Sequence, residues 1–173
     1  MVTLILGRQN TGKSQHYEKI LEKEKNRIYF ATLWHDKSTH NKIINHKNRR
    51  DENWAVLESI GDVNLDIKNI KDSLSNINTP QYCMIDGLIN WVLNCSVENK
   101  FILKEVQNLS NAIINLFNEY KSVNWFLLDN LPDDYKKTPI LIEASNLLKE
   151  RLLLEVEDIR IIYWGLKDEN FVD

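Results

Sequence analysis

The sequence of 173 residues predicts a single α/β domain, in which a mostly parallel β-sheet is covered by helices on both faces. Five short runs are apolar at successive positions rather than at alternate ones, which is typical of strands buried in a parallel sheet. Segments with helical periodicity separate these runs, and a glycine-rich loop follows the first of them. The strands are expected at residues 2–6, 27–32, 81–86, 124–129 and 159–164.

The helices are predicted from apolar spacing and from capping residues. The first is expected at residues 13–24, directly after the glycine-rich loop. Residues 100–120 place apolar side chains three and four positions apart, which forms one core-facing stripe. Thr138 followed by Pro139 is typical of an N-cap and the first turn of a last helix. Turns are expected at residues 73–80 and 130–137. Strand and helix therefore alternate to the end of the chain, as in a doubly wound fold.

Composition and charge exclude several classes of protein. The formal net charge is −3, so no overall basic field favours nucleic acid or an anionic membrane surface. No apolar stretch approaches the roughly 20 residues that span a bilayer, and the first apolar run lacks the cationic segment of a signal peptide. Cys83 and Cys95 lie in apolar segments without metal-type spacing, which is typical of buried thiols in a reducing compartment. We expect a cytoplasmic domain that neither binds nucleic acid nor inserts into a membrane.

The segment GRQNTGKS, residues 7–14, matches the phosphate-binding loop (P-loop) pattern G-x-x-x-x-G-K-[ST] at every position. Glycines at both ends allow close approach of phosphate oxygens, and Lys13 can reach the β- and γ-phosphates of a nucleotide as a catalytic cation. Ser14 can ligate Mg²⁺ at the start of the helix. The motif leaves the reaction open, because kinases, other transferases and GTPases share it. The nucleotide-binding residues expected in this loop are Gly7, Arg8, Gln9, Asn10, Thr11, Gly12, Lys13 and Ser14.

A site of this kind usually has a second acid at the end of a neighbouring strand, which holds Mg²⁺ or its waters. Asp86 and Asp129 each follow an apolar strand, at the edge of the sheet where ligands gather. Either carboxylate could instead cap a turn or a helix. Ser14 together with Asp86 or Asp129 is therefore the predicted metal site, and the family resemblance described below favours Asp86 over Asp129.

A basic stretch at residues 41–54 contains His46 together with Lys47, Arg49 and Arg50. A neutral imidazole is a good nucleophile towards phosphorus, and the flanking cations could hold the phosphates of a triphosphate while the ring attacks. The alternative is a solvated helix face that happens to carry one histidine, which charge runs more often form.

Three segments together resemble the bifunctional adenosylcobinamide kinase/adenosylcobinamide-phosphate guanylyltransferase family of cobalamin biosynthesis. They are LILGRQNTGKSQHYE at the first strand, IYFAT at the second strand and KIINHKNRRDENWAVLE after it. The last segment follows the family pattern I-x-x-H-K-x-x-R-x-x-x-W-x-x-x-E, and CMIDGLINWVLN resembles the family's next acid-then-helix segment. The matching residues are Ile43, His46, Lys47, Arg50, Trp54, Glu58, Asp86, Trp91 and Asn94.

The resemblance implies two activities at one site. A corrinoid hydroxyl is phosphorylated with ATP or GTP, and GMP from GTP then passes to adenosylcobinamide phosphate through a guanylylated His46. The P-loop and Mg²⁺ would handle the phosphates, and Lys47, Arg50, Glu58 and Asp86 would join the nucleotide-binding residues. The family also implies a parallel P-loop domain that assembles as a homotrimer.

The resemblance is good over residues 1–95 and departs in the second half. The segment LLDNLPDD, residues 127–134, replaces the family's N-E-V-G, and Lys149-Glu150 replace an Asn-Gln pair. Asn10 stands where an Arg is usual. Two other functions therefore stay open: a P-loop small-molecule kinase without guanylyl transfer, and a nucleotide-binding regulatory protein.

Overall fold

The computed structural model describes residues 1–32, 44, 50–76, 82–96 and 102–165. Its strands are β1 Val2–Gly7, β2 Arg27–Ala31, β3 Trp54–Glu58, β4 Tyr82–Asp86, β5 Asn124–Asn130 and β6 Ile159–Trp164. Its helices are α1 Lys13–Ile20, α2 Val63–Asn76, α3 Leu88–Cys95, α4 Ile102–Glu119 and α5 Pro139–Glu155, with a short 3₁₀ helix at Pro132–Tyr135. The strands form one sheet in the order β3-β2-β4-β5-β1-β6, and each neighbouring pair is parallel.

This sheet confirms the predicted fold class, and each predicted strand has its counterpart in it. Two boundaries were wrong: α1 ends at Ile20, and α2 continues to Asn76 into the predicted turn at residues 73–80. Strand β3 was not predicted, because it is a five-residue edge strand that directly follows the charged stretch. Helix α2 was also missed, although its buried Val63, Ile70 and Leu74 lie at helical spacing.

The core lies in two layers, one on each face of the sheet. Leu127 of β5 packs in the large cluster formed with α2, α3, α4 and α5. The next residue, Leu128, packs in the smaller cluster on the other face with Tyr17 of α1. Successive side chains of a strand point to opposite faces, so two neighbouring residues at the end of a strand lie in different layers of the core.

The two cysteines differ in burial. Cys83 is fully buried in β4, whereas Cys95 at the end of α3 is partly exposed, and both are free thiols. Burial raises the pKa of Cys95 to about 12 and raises the pKa of Cys83 still further. No helix in the described ranges is long and apolar enough to cross a membrane.

The buried carboxylate of Asp66 ties the end of β3 to α2 and α3. It is fully buried and accepts hydrogen bonds from Ser59 Oγ at 2.6 Å, Ile60 N at 2.9 Å and Trp91 Nε1 at 2.7 Å. A buried carboxylate is tolerated because such donors replace its hydration. Trp91, one of the residues of the family resemblance, is therefore part of the core on this face of the sheet.

We predict that Asp66→Ala lowers the free energy of unfolding by about 3 kcal/mol, since three buried or partly buried donors lose their acceptor together. Ser59→Ala is the matched control and should cost about 1 kcal/mol, because it removes one of these donors. Chemical denaturation followed by circular dichroism measures both. Equal losses in the two variants would show that the Asp66 network does not stabilise the fold as described.

Candidate functional site

The P-loop connects β1 to α1 at the carboxyl edge of the sheet. Asn10 and Gly12 have positive φ angles of 59° and 81°, and Gly12 is the N-cap of α1. Gly7 lies so close to β6 that a Cβ on it would be 2.7 Å from the carbonyl oxygen of Trp164. The motif glycines are therefore required by a left-handed turn at Gly12 and by close approach to β6 at Gly7.

Lys13 is buried, and its ammonium group is turned towards the loop itself. Its Nζ donates to the carbonyl oxygens of Gly7 and Arg8, each at 2.7 Å, and to Asn130 Oδ1 at 3.3 Å. Desolvation lowers the pKa of Lys13, while the carboxylates of Asp86, Asp129 and Asp134 oppose that shift. A buried cation held by neutral oxygens and surrounded by acids is poised to exchange those partners for phosphate oxygens.

The structure brings Ser14 and Asp86, the predicted metal ligands, into direct contact. Ser14 Oγ donates to Asp86 Oδ2 at 2.7 Å, and the Tyr29 hydroxyl donates a hydrogen bond to the same oxygen. Tyr29 is almost fully buried, and desolvation, followed by the charge of Asp86, raises its pKa well above the usual value. The phenol therefore stays protonated as a donor and orients the carboxylate.

Asp129 lies on the other face of the sheet. In the sheet register Asp86 pairs with Leu128, and Leu128 packs on the α1 side, so the next residue points away from α1. Asp129 is 2% exposed and its Oδ1 accepts a hydrogen bond from Ile89 N at the start of α3, at 3.4 Å. The geometry therefore favours Asp86 over Asp129 as the acid beside Ser14, and the carboxylate of Asp129 sits at the N-terminus of α3.

The side chain of Arg50 is buried against the same site. Its guanidinium lies 3.3 Å from the centre of the Tyr29 ring and pairs with Glu18 Oε1 at 2.5 Å, with 2% of the side chain exposed. The solvated-face alternative for the basic stretch is therefore wrong for this residue. Arg49 and the predicted site residues His46 and Lys47 lie outside the described residues.

Two other residues from the family pattern lie further from the P-loop. Glu58 ends β3, the edge strand, and β3 is four strand spacings, or about 19 Å, from β1. It shares the carboxyl edge of the sheet but does not line the P-loop. Trp54 at the start of β3 packs edge-on to Tyr29, and the centre of its ring lies 4.6 Å from Arg27 Cζ. It therefore fills the core at the opposite end of the strand from Glu58.

Several contacts to the P-loop come from residues that the sequence analysis did not select. Asp134 Oδ2 accepts a hydrogen bond from Gln9 N at 2.9 Å, and Asn130 accepts one from Lys13. Trp164 Nε1 donates to Thr11 O at 3.1 Å, and its ring lies 4.2 Å from that of His16. Both Asn130 and Asp134 fall in the predicted turn at residues 130–137. Acidic and amide side chains in a turn after a strand were the signal that could have identified them as P-loop contacts.

We predict that folding stability depends on pH through Asp129. Burial raises its pKa to about 6, compared with about 3.9 in an unfolded chain. A carboxyl group whose pKa is higher in the folded than in the unfolded chain stabilises the fold fully below about pH 4. This contribution of about 3 kcal/mol is lost as the pH rises through the folded pKa. Asp129→Asn should therefore gain stability relative to the native chain as the pH rises across this window. Denaturant titrations at several pH values measure the difference, and a difference independent of pH would contradict the prediction.

Comparison with known proteins identifies the family. A family model described as "Cobinamide kinase / cobinamide phosphate guanyltransferase" matches residues 3–130. No curated protein sequence matches the chain at a significant level. Among solved structures, an ATPase domain is similar to this chain, with a TM-score of 0.57 and 12% identity over 94% of this chain and 69% of that one. At this identity the likeness shows the fold alone. Because the family model matches well over half of its residues, the chain belongs to the cobinamide kinase/cobinamide phosphate guanyltransferase family.

Proposed function

We propose that this protein carries out both reactions named in its family description. It phosphorylates the hydroxyl group of adenosylcobinamide with ATP or GTP, and then transfers GMP from GTP to adenosylcobinamide phosphate. The observation that carries the proposal is the arrangement of Lys13, Ser14 and Asp86 at the carboxyl edge of β1 and β4, in a chain that belongs to this family. We also propose, from the family resemblance alone, that the enzyme is a cytoplasmic homotrimer.

Phosphate binding follows from the present partners of Lys13. Two backbone carbonyls and one amide oxygen hold an ammonium group that has been largely desolvated. Phosphate oxygens carry formal charge and would compensate this cation better than neutral carbonyls do. We infer that nucleotide binding moves Lys13 Nζ from the carbonyls of Gly7 and Arg8 to the β- and γ-phosphates, while the loop's N–H groups hold the same phosphates.

The residues at the site fit Mg²⁺. Ser14 and Asp86 offer a hydroxyl and a carboxylate oxygen, which are hard ligands of the kind that Mg²⁺ prefers, and phosphates and water usually complete its shell. Bound there, Mg²⁺ would neutralise charge on the phosphates. The chain's own contribution is to hold the carboxylate in place through Tyr29 and Ser14.

Guanylyl transfer is assigned to His46. An imidazole nitrogen forms a bond to the α-phosphorus of GTP while the bond from that phosphorus to the bridging oxygen breaks and pyrophosphate leaves. A phosphate oxygen of adenosylcobinamide phosphate then displaces the imidazole. Arg50 supports this assignment, because it is anchored beside Asp86 through Tyr29 and is four residues from His46 in sequence. Four residues span at most about 14 Å, so this spacing in the sequence permits His46 to reach the nucleotide site.

We predict that the native protein, incubated with Mg²⁺ and GTP labelled at the α-phosphate, acquires a label that is lost in mild acid and stable in alkali. His46→Ala should lose this label, whereas His40→Ala, the matched control from the same region of the chain, should keep it. Phosphorylation of adenosylcobinamide by γ-labelled ATP should survive in His46→Ala, because the kinase step does not use this nucleophile.

Each other result of this experiment identifies an alternative. Label retained in His46→Ala would mean that another residue is the nucleophile. A native protein that phosphorylates the corrinoid without acquiring label would be a small-molecule kinase. Tight, Mg²⁺-dependent nucleotide binding with no turnover of either kind would favour a regulatory protein.

A separate prediction concerns the metal. Asp86→Asn should weaken Mg²⁺-dependent nucleotide binding by roughly 10-fold to 100-fold, since an amide replaces the carboxylate that Ser14 and Tyr29 orient. Asp129→Asn is the matched control on the other face of the sheet and should leave the Mg²⁺ dependence unchanged. Titration of a fluorescent nucleotide against Mg²⁺ measures both variants. Loss of Mg²⁺ dependence in Asp129→Asn rather than in Asp86→Asn would reverse the assignment.

A further inference from the structure

The last residue of β5 and the 3₁₀ helix that follows it contact the P-loop at two points. Asn130 Oδ1 accepts a hydrogen bond from Lys13 Nζ at 3.3 Å, and Asp134 Oδ2 accepts one from Gln9 N at 2.9 Å. The short 3₁₀ helix that carries Asp134 is closed by the hydrogen bond from Asp134 N to Leu131 O at 2.9 Å. A carboxylate is thereby held against the loop that would receive the nucleotide.

Asp134 lies at the part of the P-loop where we expect the terminal phosphate of a nucleotide. Lys13 is the P-loop side chain that reaches the β- and γ-phosphates, and the charge of Asp134 acts on Lys13. Its hydrogen-bond donor, Gln9 N, lies near the start of the loop, whereas Ser14 and the metal-binding oxygens lie at its end. Asp134 is also exposed, so a substrate that approaches the γ-phosphate can reach its carboxylate.

Phosphorylation of an alcohol requires a group that accepts the hydroxyl proton. Asp86 already accepts two hydrogen bonds on one oxygen, from Ser14 and Tyr29, and is the proposed metal ligand. Asp129 points to the other face of the sheet and is 2% exposed. Of the three carboxylates whose charges act on Lys13, Asp134 is therefore the one that an incoming hydroxyl group can contact.

We propose that Asp134 is the catalytic base of the kinase reaction, an inference that rests on the kinase activity proposed above. The substrate oxygen forms a bond to the γ-phosphorus, and the bond from that phosphorus to the bridging oxygen breaks to release the nucleoside diphosphate. The hydroxyl proton passes to the carboxylate of Asp134, which later releases it to solvent. Guanylylation of His46 involves no hydroxyl proton and does not need this base.

The test compares Asp134→Asn with Asp72→Asn, which removes the same charge from an exposed position on α2. Three rates are measured: phosphorylation of adenosylcobinamide by ATP, hydrolysis of ATP without corrinoid, and labelling by α-labelled GTP. We expect Asp134→Asn to lower kcat for phosphorylation and hydrolysis by roughly 100-fold to 10,000-fold, because water and the corrinoid hydroxyl lose the same proton acceptor. KM for ATP and the rate of labelling should stay within about 3-fold of native, in the range of a surface substitution, and Asp72→Asn should match native in all three rates.

Different outcomes overturn the proposal in different ways. A kcat within a few-fold of native, with tighter nucleotide binding, would make Asp134 a competitor of the phosphate rather than a base. Equal losses in phosphorylation and labelling would make it a residue that shapes the P-loop. If the native protein does not phosphorylate adenosylcobinamide, the proposed function fails, and ATP hydrolysis by Asp134→Asn then decides the role of this carboxylate independently.

Discussion

The buried ammonium group of Lys13 is the constraint on which the rest of the site depends. Its desolvation must be compensated, and the chain does so with two P-loop carbonyls, the amide of Asn130 and the charges of three aspartates. These partners come from the end of β1 and the loop after it, from the ends of β4 and β5 and from the 3₁₀ helix after β5. The sheet order that places β5 between β4 and β1 is therefore what brings these partners to the cation.

Because successive side chains point to opposite faces of the sheet, the two aspartates at the strand ends have different neighbours. Asp86 and Asp129 end neighbouring strands, and apart from the family resemblance, which favours Asp86, no pattern in the sequence ranks them. The register does, because Asp86 is level with Leu128 and shares its face with α1, whereas Asp129 is one residue further on and faces α3. One carboxylate thus meets the P-loop serine, and the other meets a helix N-terminus and the lysine of α5 that opposes its raised pKa.

Local patterns in the sequence predicted the parts of the fold and site that depend on local chemistry. The P-loop, its helix and the five apolar strands were recognisable because glycine spacing and continuous apolar runs report directly on backbone turns and burial. Strand β3 was missed because a short, half-buried edge strand has neither signal. The contacts of Asp134 with Gln9 and of Trp164 with Thr11 join residues 125 and 153 positions apart, so they depend on strand order, which no local pattern specifies.

The residues that contact the P-loop and its acid lie partly within the family match and partly beyond it. The family match ends at residue 130, and Ser14 and Tyr29, which donate hydrogen bonds to Asp86, lie within it. Asp134 and Trp164, which contact Gln9 and Thr11 of the P-loop, lie beyond it. The contact between Ser14 and Asp86 is thus made by residues within the family match, whereas in the proposed kinase reaction the phosphoryl acceptor would meet Asp134, a residue beyond it. A change in the acceptor could therefore arise in the C-terminal third without disturbing the contact between Ser14 and Asp86.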